Sequence, residues 1–457
     1  MSDFDFSYSR KDFGKPFHFG VSTASHQIEG AWNVDGKGES IWDRFAHTPK
    51  KIERGEHADV SLDFYHRYKE DLKTMSSLSI PNYRFSVAWS RVKPLGYGKV
   101  NEKGVDYYNR VIDTCLENGI EPWITLYHWD LPQNLQDLGG WSVRQIRHWF
   151  EEYAELCAKR FGDRVKNWMV LNEPVAFTVL GNLLGIHAPG KRNPSYFLKS
   201  VHHAALCQAI GGRVLREHVK NVNVGTTVSC SYVEPYKQEK RHIKAAARVE
   251  AILNRLFLEP ALGLGYPWEG FNFLKRLENH MQPGDEKALE FDFDFWGVQY
   301  YTREIVKHTP YIPFVQASLV DPKDKGAEQI TDMNWEVFPQ GLYSQLKKFA
   351  EYKEIKKLIV TENGSAFPDV LTADGRVHDV ERTNYLRQHL AACLKAKNEG
   401  VPLEGYFYWT YTDNFEWAFG YRPRFGLVYN DFSTQKRYVK DSGFWMRDFL
   451  DGKQVGG

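Results

Sequence analysis

Short apolar runs rich in β-branched and aromatic residues recur along the chain, each followed by a longer segment with helical spacing. The strand-like runs are 17–25, 82–88, 122–127, 168–171, 222–229, 293–300, 358–361 and 405–409. Amphipathic stretches lie over 60–78, 103–118, 143–160, 195–217, 245–259, 341–352 and 380–399. Strand alternating with helix about eight times predicts parallel strands joined by crossover helices. The rival arrangement, an open doubly wound sheet, wants a glycine-rich phosphate turn after its first strand. Phe19-Gly20-Val21-Ser22-Thr23 does not supply one. No Ser/Gly linker, repeat or low-complexity tract divides the chain. The expectation is therefore a single α/β domain over 1–457, a (β/α)8 TIM barrel with inserted βα loops, preceded by an irregular segment over 1–16.

Polar and aromatic positions gather where the apolar runs end. Gln27 and Glu29 follow the first, Arg84 lies within the second, and His128-Trp129-Asp130 follow the third. Asn172-Glu173 end the fourth, Gln299 and Tyr301 lie near the end of the sixth, Glu362 ends the seventh and Trp409 the eighth. All strands of a barrel point the same way, so these residues converge on one face, where active sites of this architecture sit. Two carboxylates, Glu173 and Glu362, end separate strands. If they meet across the mouth, they form the machinery of glycoside hydrolysis. Taken singly, each residue has a plainer reading. A strand-end Glu is more often an ion-pair partner, Arg84 is one as often as not, His128 is more often a hydrogen-bonded core histidine, and Trp409 or Trp417 simply core. The gathering is what argues for a site.

Composition narrows the classes. At 42% hydrophobic and 26% charged residues, the chain suits a globular protein with a sizeable core. Its formal charge of +1 offers no electrostatic attraction to nucleic acid or an anionic membrane, and neither is expected as a partner. Fourteen Trp, 25 Tyr and 29 Phe provide flat apolar rings of the kind sugar faces stack on, although most belong in a core. Cys115, Cys157, Cys207, Cys230 and Cys393 are odd in number and scattered, which argues for reduced thiols and against disulfides or zinc. No signal-peptide core or bilayer-length apolar stretch is present, so a cytoplasmic enzyme is the expectation. The adjacent pair His202-His203 does not make a metal site, because neighbouring helical side chains do not share a face.

At the level of motifs the sequence resembles a known family. Phe19 to Ala31, reading FGVSTASHQIEGA, looks like the N-terminal signature of glycoside hydrolase family 1, the β-glucosidases. Tyr83-Arg84-Phe85-Ser86, His128-Trp129-Asp130-Leu131-Pro132, Leu171-Asn172-Glu173-Pro174, Thr361-Glu362-Asn363-Gly364 and Asp413-Asn414-Phe415-Glu416-Trp417 continue the match in the family's order. The resemblance implies a retaining hydrolase of β-glycosides, without metal or organic cofactor, acting on a small β-glycoside or short oligosaccharide. It implies Glu362 as nucleophile and Glu173 as acid/base. By the same likeness Gln27, His128, Asn172, Glu416 and Trp417 bind the hydroxyls of the terminal sugar, and Trp409 stacks under its ring. Arg84 and Tyr301 would hold Glu362, and Trp335 would flank the aglycone. Glu416 stands where phosphoglycoside relatives avoid a carboxylate, which argues for a neutral sugar.

The sequence also departs from the family. Gln299 stands where Asn is usual, and its extra methylene is expected to disturb the hydrogen bonds around Glu173. His26 replaces a commoner Tyr, and Tyr411-Thr412 a smaller or aliphatic pair. β-Glucosidase is the leading reading, with β-galactosidase or β-fucosidase side activity left open. A transglycosylase using the same site is one alternative; a carbohydrate-binding protein with weakened catalysis is another. A thioglucosidase is disfavoured because Glu173 is intact. Oligomeric state is left open, a homo-oligomer included.

Overall fold

The computed structural model describes Phe4 and residues 6–453. Eight parallel strands form a closed barrel. They are β1 (His18–Ser22), β2 (Asn82–Ser86), β3 (Glu121–Tyr127), β4 (Asn167–Asn172), β5 (Asn223–Pro235), β6 (Phe295–His308), β7 (Leu358–Asn363) and β8 (Leu403–Trp409). Each pairs with its neighbours in sequence, and β8 returns to β1 in a five-residue parallel register from His18↔Gly405 to Ser22↔Trp409. The strands are buried on both faces, which is why they read as continuous apolar runs rather than alternating ones.

A helix follows every strand. In order these are α1 (Phe64–Ser77), α2 (Glu102–Glu117), α3 (Ile146–Phe161), α4 (Pro194–His218), α5 (Lys240–Glu250), α6 (Pro339–Phe349), α7 (Val380–Asn398) and α8 (Asp441–Leu450). Two clusters of the packed interior bear on the site. Trp123, Met169, Phe295, Ile359 and Phe407 form a small cluster inside the barrel. A much larger cluster fills the layer between strands and helices. The inner cluster plugs the barrel, and Trp123 Nε1 donates to Asn82 Oδ1 at 3.0 Å.

Several boundaries differ from the sequence pattern. The run 17–25 ends as a strand at Ser22, and Ser25–Ile28 turns into a single helical turn that carries Gln27. The stretch 245–259 is not one helix. It passes from α5 through a π-helical turn, Ala251–Arg255, into Leu258–Ala261, whose Pro260 cannot donate within a longer helix. Strands β5 and β6 run past the barrel as a paired arm, and Ala317–Leu319 adds to β6 antiparallel. Helix α8 has no counterpart in the pattern, because Gly443 and its aromatic residues weaken the local helical signal. Gly443 is nevertheless required there. A Cβ would lie 2.7 Å from the Leu427 carbonyl oxygen.

Of the segment 1–16, residues 1–3 and 5 lie outside the described residues, and Arg10–Phe13 forms a 3-10 turn. Its Phe13 ring packs against Phe17, Phe19 and Phe449. All five cysteines are buried free thiols. Among the described residues no helix is long and apolar enough to cross a membrane.

Candidate active site

The C-terminal ends of the strands surround a cavity of about 300 Å³. Nine of the residues singled out from the sequence line it: His128, Trp129, Glu173, Tyr301, Trp335, Glu362, Trp409, Glu416 and Trp417. Arg84, Asn172, Gln299 and Gln27 sit immediately behind these, almost wholly buried, and hold them through hydrogen bonds.

Glu362 is the best-anchored group. Arg84, from β2 and fully buried, donates to Glu362 Oε1 and also to Asn172 Oδ1. Tyr301 OH donates to Glu362 Oε2 at 2.8 Å. Gln299 Nε2 bridges Asn172 Oδ1 and Glu362 Oε1, each at 2.7 Å. The longer amide thus corrects the expectation that Gln299 would act around Glu173. From β6 its nitrogen reaches Asn172 and the other carboxylate, Glu362. The backbone behind Glu362 is equally fixed: Asn363 Nδ2 donates to Tyr300 O at 2.6 Å and Tyr385 OH at 2.8 Å, and Tyr406 OH returns a bond to Asn363 Oδ1.

Glu173 occupies a different setting. It follows β4 in the left-handed region, with φ of 44°, and Pro174 opens a helical turn directly after it. A left-handed conformation for a residue with a Cβ costs of order 1 kcal/mol and persists only where its surroundings impose it. Its N–H is tied to Thr227 O at 3.1 Å, and Thr227 Oγ1 donates to Asn172 Oδ1 at 3.1 Å. Burial pushes the Glu173 carboxyl well up, the Glu362 charge adds to this, and Ser229 and Arg84 oppose it. Burial also raises Glu362, but Arg84 and Tyr301 pull it back by favouring the charged form. Glu173 is therefore the member of the pair that holds a proton.

The rest of the wall suits a flat polyhydroxylated ligand. His128 Nε2 accepts from Asn172 Nδ2 at 3.0 Å, and burial followed by the Arg84 charge keeps this imidazole neutral. Its Nδ1 and the Gln27 Oε1 are buried without a partner among the described residues. Gln27 Nε2 donates to Phe415 O at 2.9 Å and to Glu416 Oε2 at 3.2 Å. Burial, then the Glu362 charge, push Glu416 up to about 8, against the Gln27 hydrogen bond. Trp409 and Trp417 line one side, and Trp335 packs on Tyr301 with ring centres 5.1 Å apart.

Other strand-end residues lie elsewhere. Glu29 accepts from Arg91 Nε at 2.8 Å, and Asp130 accepts from Ser25 Oγ at 2.8 Å; neither lines the cavity. His202 and His203 take separate partners, Asp285 and the Trp141 carbonyl, as core histidines do. His26 lies parallel to Trp417 at 5.8 Å with Nδ1 3.6 Å from Asp43, so the ring both stacks and faces a charge. Tyr411 OH donates to Asp71 O and Thr412 Oγ1 to Val428 O, which anchors the segment leading to Glu416.

The chain matches the model of glycosyl hydrolase family 1 over residues 9–455. The chain belongs to this family. It is 45% identical to Beta-glucosidase A of Thermotoga maritima over 440 residues, covering 95% of this chain and 97% of that one. It is 43% identical to the 1,4-beta-D-glucan glucohydrolase of Thermotoga neapolitana, covering 96% and 98%. The solved structure of the Thermotoga maritima beta-glucosidase in complex with deoxynojirimycin superposes with a TM-score of 0.92 at 44% identity, covering 96% of this chain and 98% of that one. The protein is thus a family 1 glycoside hydrolase.

Three residues of this family 1 site were not singled out from the sequence, and a fourth, Trp129, was given no role there. Ser229, at the end of the fifth run, bears on Glu173, and only its strand-end position could have marked it. Trp129 stood within a quoted motif; its Nε1 donates to Asn172 O at 2.9 Å and its ring lies 4.6 Å from Trp417. Phe425 and His187 come from loops whose sequence carries no periodic signal.

Proposed function

We propose that the protein is a retaining β-glucosidase of neutral substrates, releasing the terminal non-reducing glucose from small β-glucosides or short oligosaccharides. The observation that carries this reading is the unlike environment of two buried carboxylates in one cavity. Glu362, held by Arg84, Tyr301 and Gln299, is the nucleophile that attacks the anomeric carbon. Glu173, protonated by burial beside that charge, delivers its proton to the leaving oxygen. Ester formation removes the Glu362 charge, which lowers the Glu173 pKa and lets it deprotonate the incoming water. Asn172 is positioned by three donors to its Oδ1, and the reading gives its amide the 2-hydroxyl, a contact that strengthens in the transition state.

The names of the relatives support glucose as the terminal sugar. A cavity with no Lys or Arg among the described residues that line it, and with Glu416 in its wall, supports a neutral one. Trp409 and Trp417 then serve the sugar, and Trp335 with Phe425 the aglycone. Five buried thiols suit a reducing compartment, in keeping with cytoplasmic function.

The test is a panel of nitrophenyl β-D-glucoside, galactoside and fucoside with cellobiose, following the first-formed anomer by NMR. The expected result is β-glucose released first, with the glucoside among the preferred substrates. Release of α-glucose as the first product would overturn the retaining assignment.

A further inference from the structure

A second cavity, of about 490 Å³, opens on the outer side of the barrel in the gap between α5 and α6. The glycosidase reading uses none of its residues. Facing it, α5 presents Ala246 and Ala247, too short to close the gap, and then Glu250. Gln345, Lys348, Phe349 and Tyr352 come from α6 and the turn after it. Their spacing of i, i+3, i+4 and i+7 turns one helical face to the cavity. The π-helical turn Ala251–Arg255 adds Asn254, whose amide is committed to the backbone of β5. Its Oδ1 accepts from Ser231 N at 3.1 Å and its Nδ2 donates to Ser231 O at 2.9 Å. Turns of this π-helical kind recur at functional sites.

Two acceptors of this wall have no donor among the described residues. Gln345 is only 1% exposed, and its Oε1 is buried without a partner; so is Glu250 Oε2. A buried acceptor left without a donor is costly, most of all a charged one. Lys348 does not fill the role. Its Nζ stands 3.6 Å from the other Glu250 oxygen, beyond hydrogen-bond length, and lies 4.9 Å from the Tyr232 ring centre. Arg255 is committed to Glu259 and Glu269, and Tyr352 OH to Glu259. The wall and its direct ion-pair partners thus set Glu250, Glu259, Glu269 and Glu351 against only Arg255 and Lys348.

We propose that this cavity is a second ligand site, which takes a small organic cation carrying a primary ammonium on an apolar stem. The ammonium answers the Glu250 charge, and its three N–H groups supply the donors that Glu250 Oε2 and Gln345 Oε1 lack. The stem lies along Val233, Ala246 and Phe349. The excess of carboxylates turns an anion away, and a neutral alcohol brings a single donor and no charge.

Isothermal titration of the full chain with three probes of one stem tests the assignment: phenethylammonium chloride, 2-phenylethanol and sodium phenylacetate. The expected result is one saturable site for the ammonium, binding of the alcohol at least about tenfold weaker, and no binding of the carboxylate. Glu250→Gln removes the charge and Gln345→Leu the neutral acceptor; each should weaken ammonium binding by at least about tenfold. Ala247→Phe, at an exposed position that does not endanger folding, fills the cavity and should block binding. No saturable ammonium site, equal affinities for the three probes, or binding unaltered in Glu250→Gln and Gln345→Leu would overturn the proposal. So would binding that competes with a nitrophenyl β-glucoside and survives Ala247→Phe, since the probe would then occupy the catalytic cavity.

Discussion

At the scale of single residues, the roles proposed for the two carboxylates separate by their partners. Glu362→Ala should abolish turnover of every glycoside. Glu173→Ala should slow substrates with poor leaving groups by about 10²–10⁴-fold, as loss of a general acid does, with added azide partly restoring the second step. Equal losses for activated and unactivated aglycones, measured as kcat/KM, would count against that division. Tyr301→Phe removes one O–H bond to a charged acceptor, worth about 1.5–3 kcal/mol, and should lower kcat/KM roughly 10–150-fold. Gln299 yields a signed prediction. Its N–H stabilises ionised Glu362, so Gln299→Asn, with a shorter reach, should raise the Glu362 pKa. The acidic limb of the kcat/KM profile then moves to higher pH while the basic limb, set by Glu173, moves less. An unmoved acidic limb would assign the extra methylene to packing.

Elements matter because each proposed catalytic side chain is aimed by the strand end that carries it. Strand β7 passes so close to β8 that a Cβ on Gly364 would lie 1.7 Å from the Trp409 carbonyl oxygen. The backbone there is not left-handed, so the glycine is required by closeness alone. Gly364→Ala must push apart the ends that bear Glu362 and Trp409. It should cost at least about 1–3 kcal/mol of stability, as overpacking does, and activity should fall with it. Thermal melts paired with kcat check this, and a variant with native Tm and kcat would show that the two ends move freely. On the other side of the barrel, Glu173 depends on the β4–β5 bonds through Thr227, which fix a conformation its own backbone does not favour.

For the whole molecule, one buried ionic network holds the β7 and β8 loops to α7 and α8. Lys440 Nζ pairs with Asp413 at 2.6 Å and with Asp369, while Arg382 pairs with Asp369 at 2.8 Å and Arg424 with Asp413 at 2.7 Å. Lys440 is fully buried, so Lys440→Met leaves two carboxylates underpaired and should cost about 3–5 kcal/mol. Burial raises Asp369, yet Lys440 and Arg382 outweigh it and hold its pKa below the ordinary value. Asp43, likewise buried but facing Lys37 and His26, is held down at about 2. For carboxyls depressed in the folded state, the stabilisation is complete above the unfolded pKa, near 3.9, and is lost as pH falls through the folded one. Tm should therefore fall steeply below about pH 4, and less steeply in Lys440→Met. Parallel Tm–pH curves for the two proteins would remove Asp369 from the account.

The alternation of apolar runs with helical segments determined the barrel by itself, because strands covered on both faces must be apolar throughout and crossover helices must be amphipathic. The motifs likewise named most of the residues around the cavity, since strand ends are fixed points of this architecture. What tertiary structure decided is everything that depends on distance between segments remote in sequence. It directed the Gln299 amide to Glu362 and Asn172, brought Ser229 to Glu173, set His26 against Trp417, and left Glu29 to Arg91. It drew α8 from a locally weak segment, because packing against the closed barrel supplies what ten residues of helix propensity cannot. A one-dimensional pattern records which face of a strand or helix is buried; which polar atoms meet across the barrel mouth is a consequence of its closure.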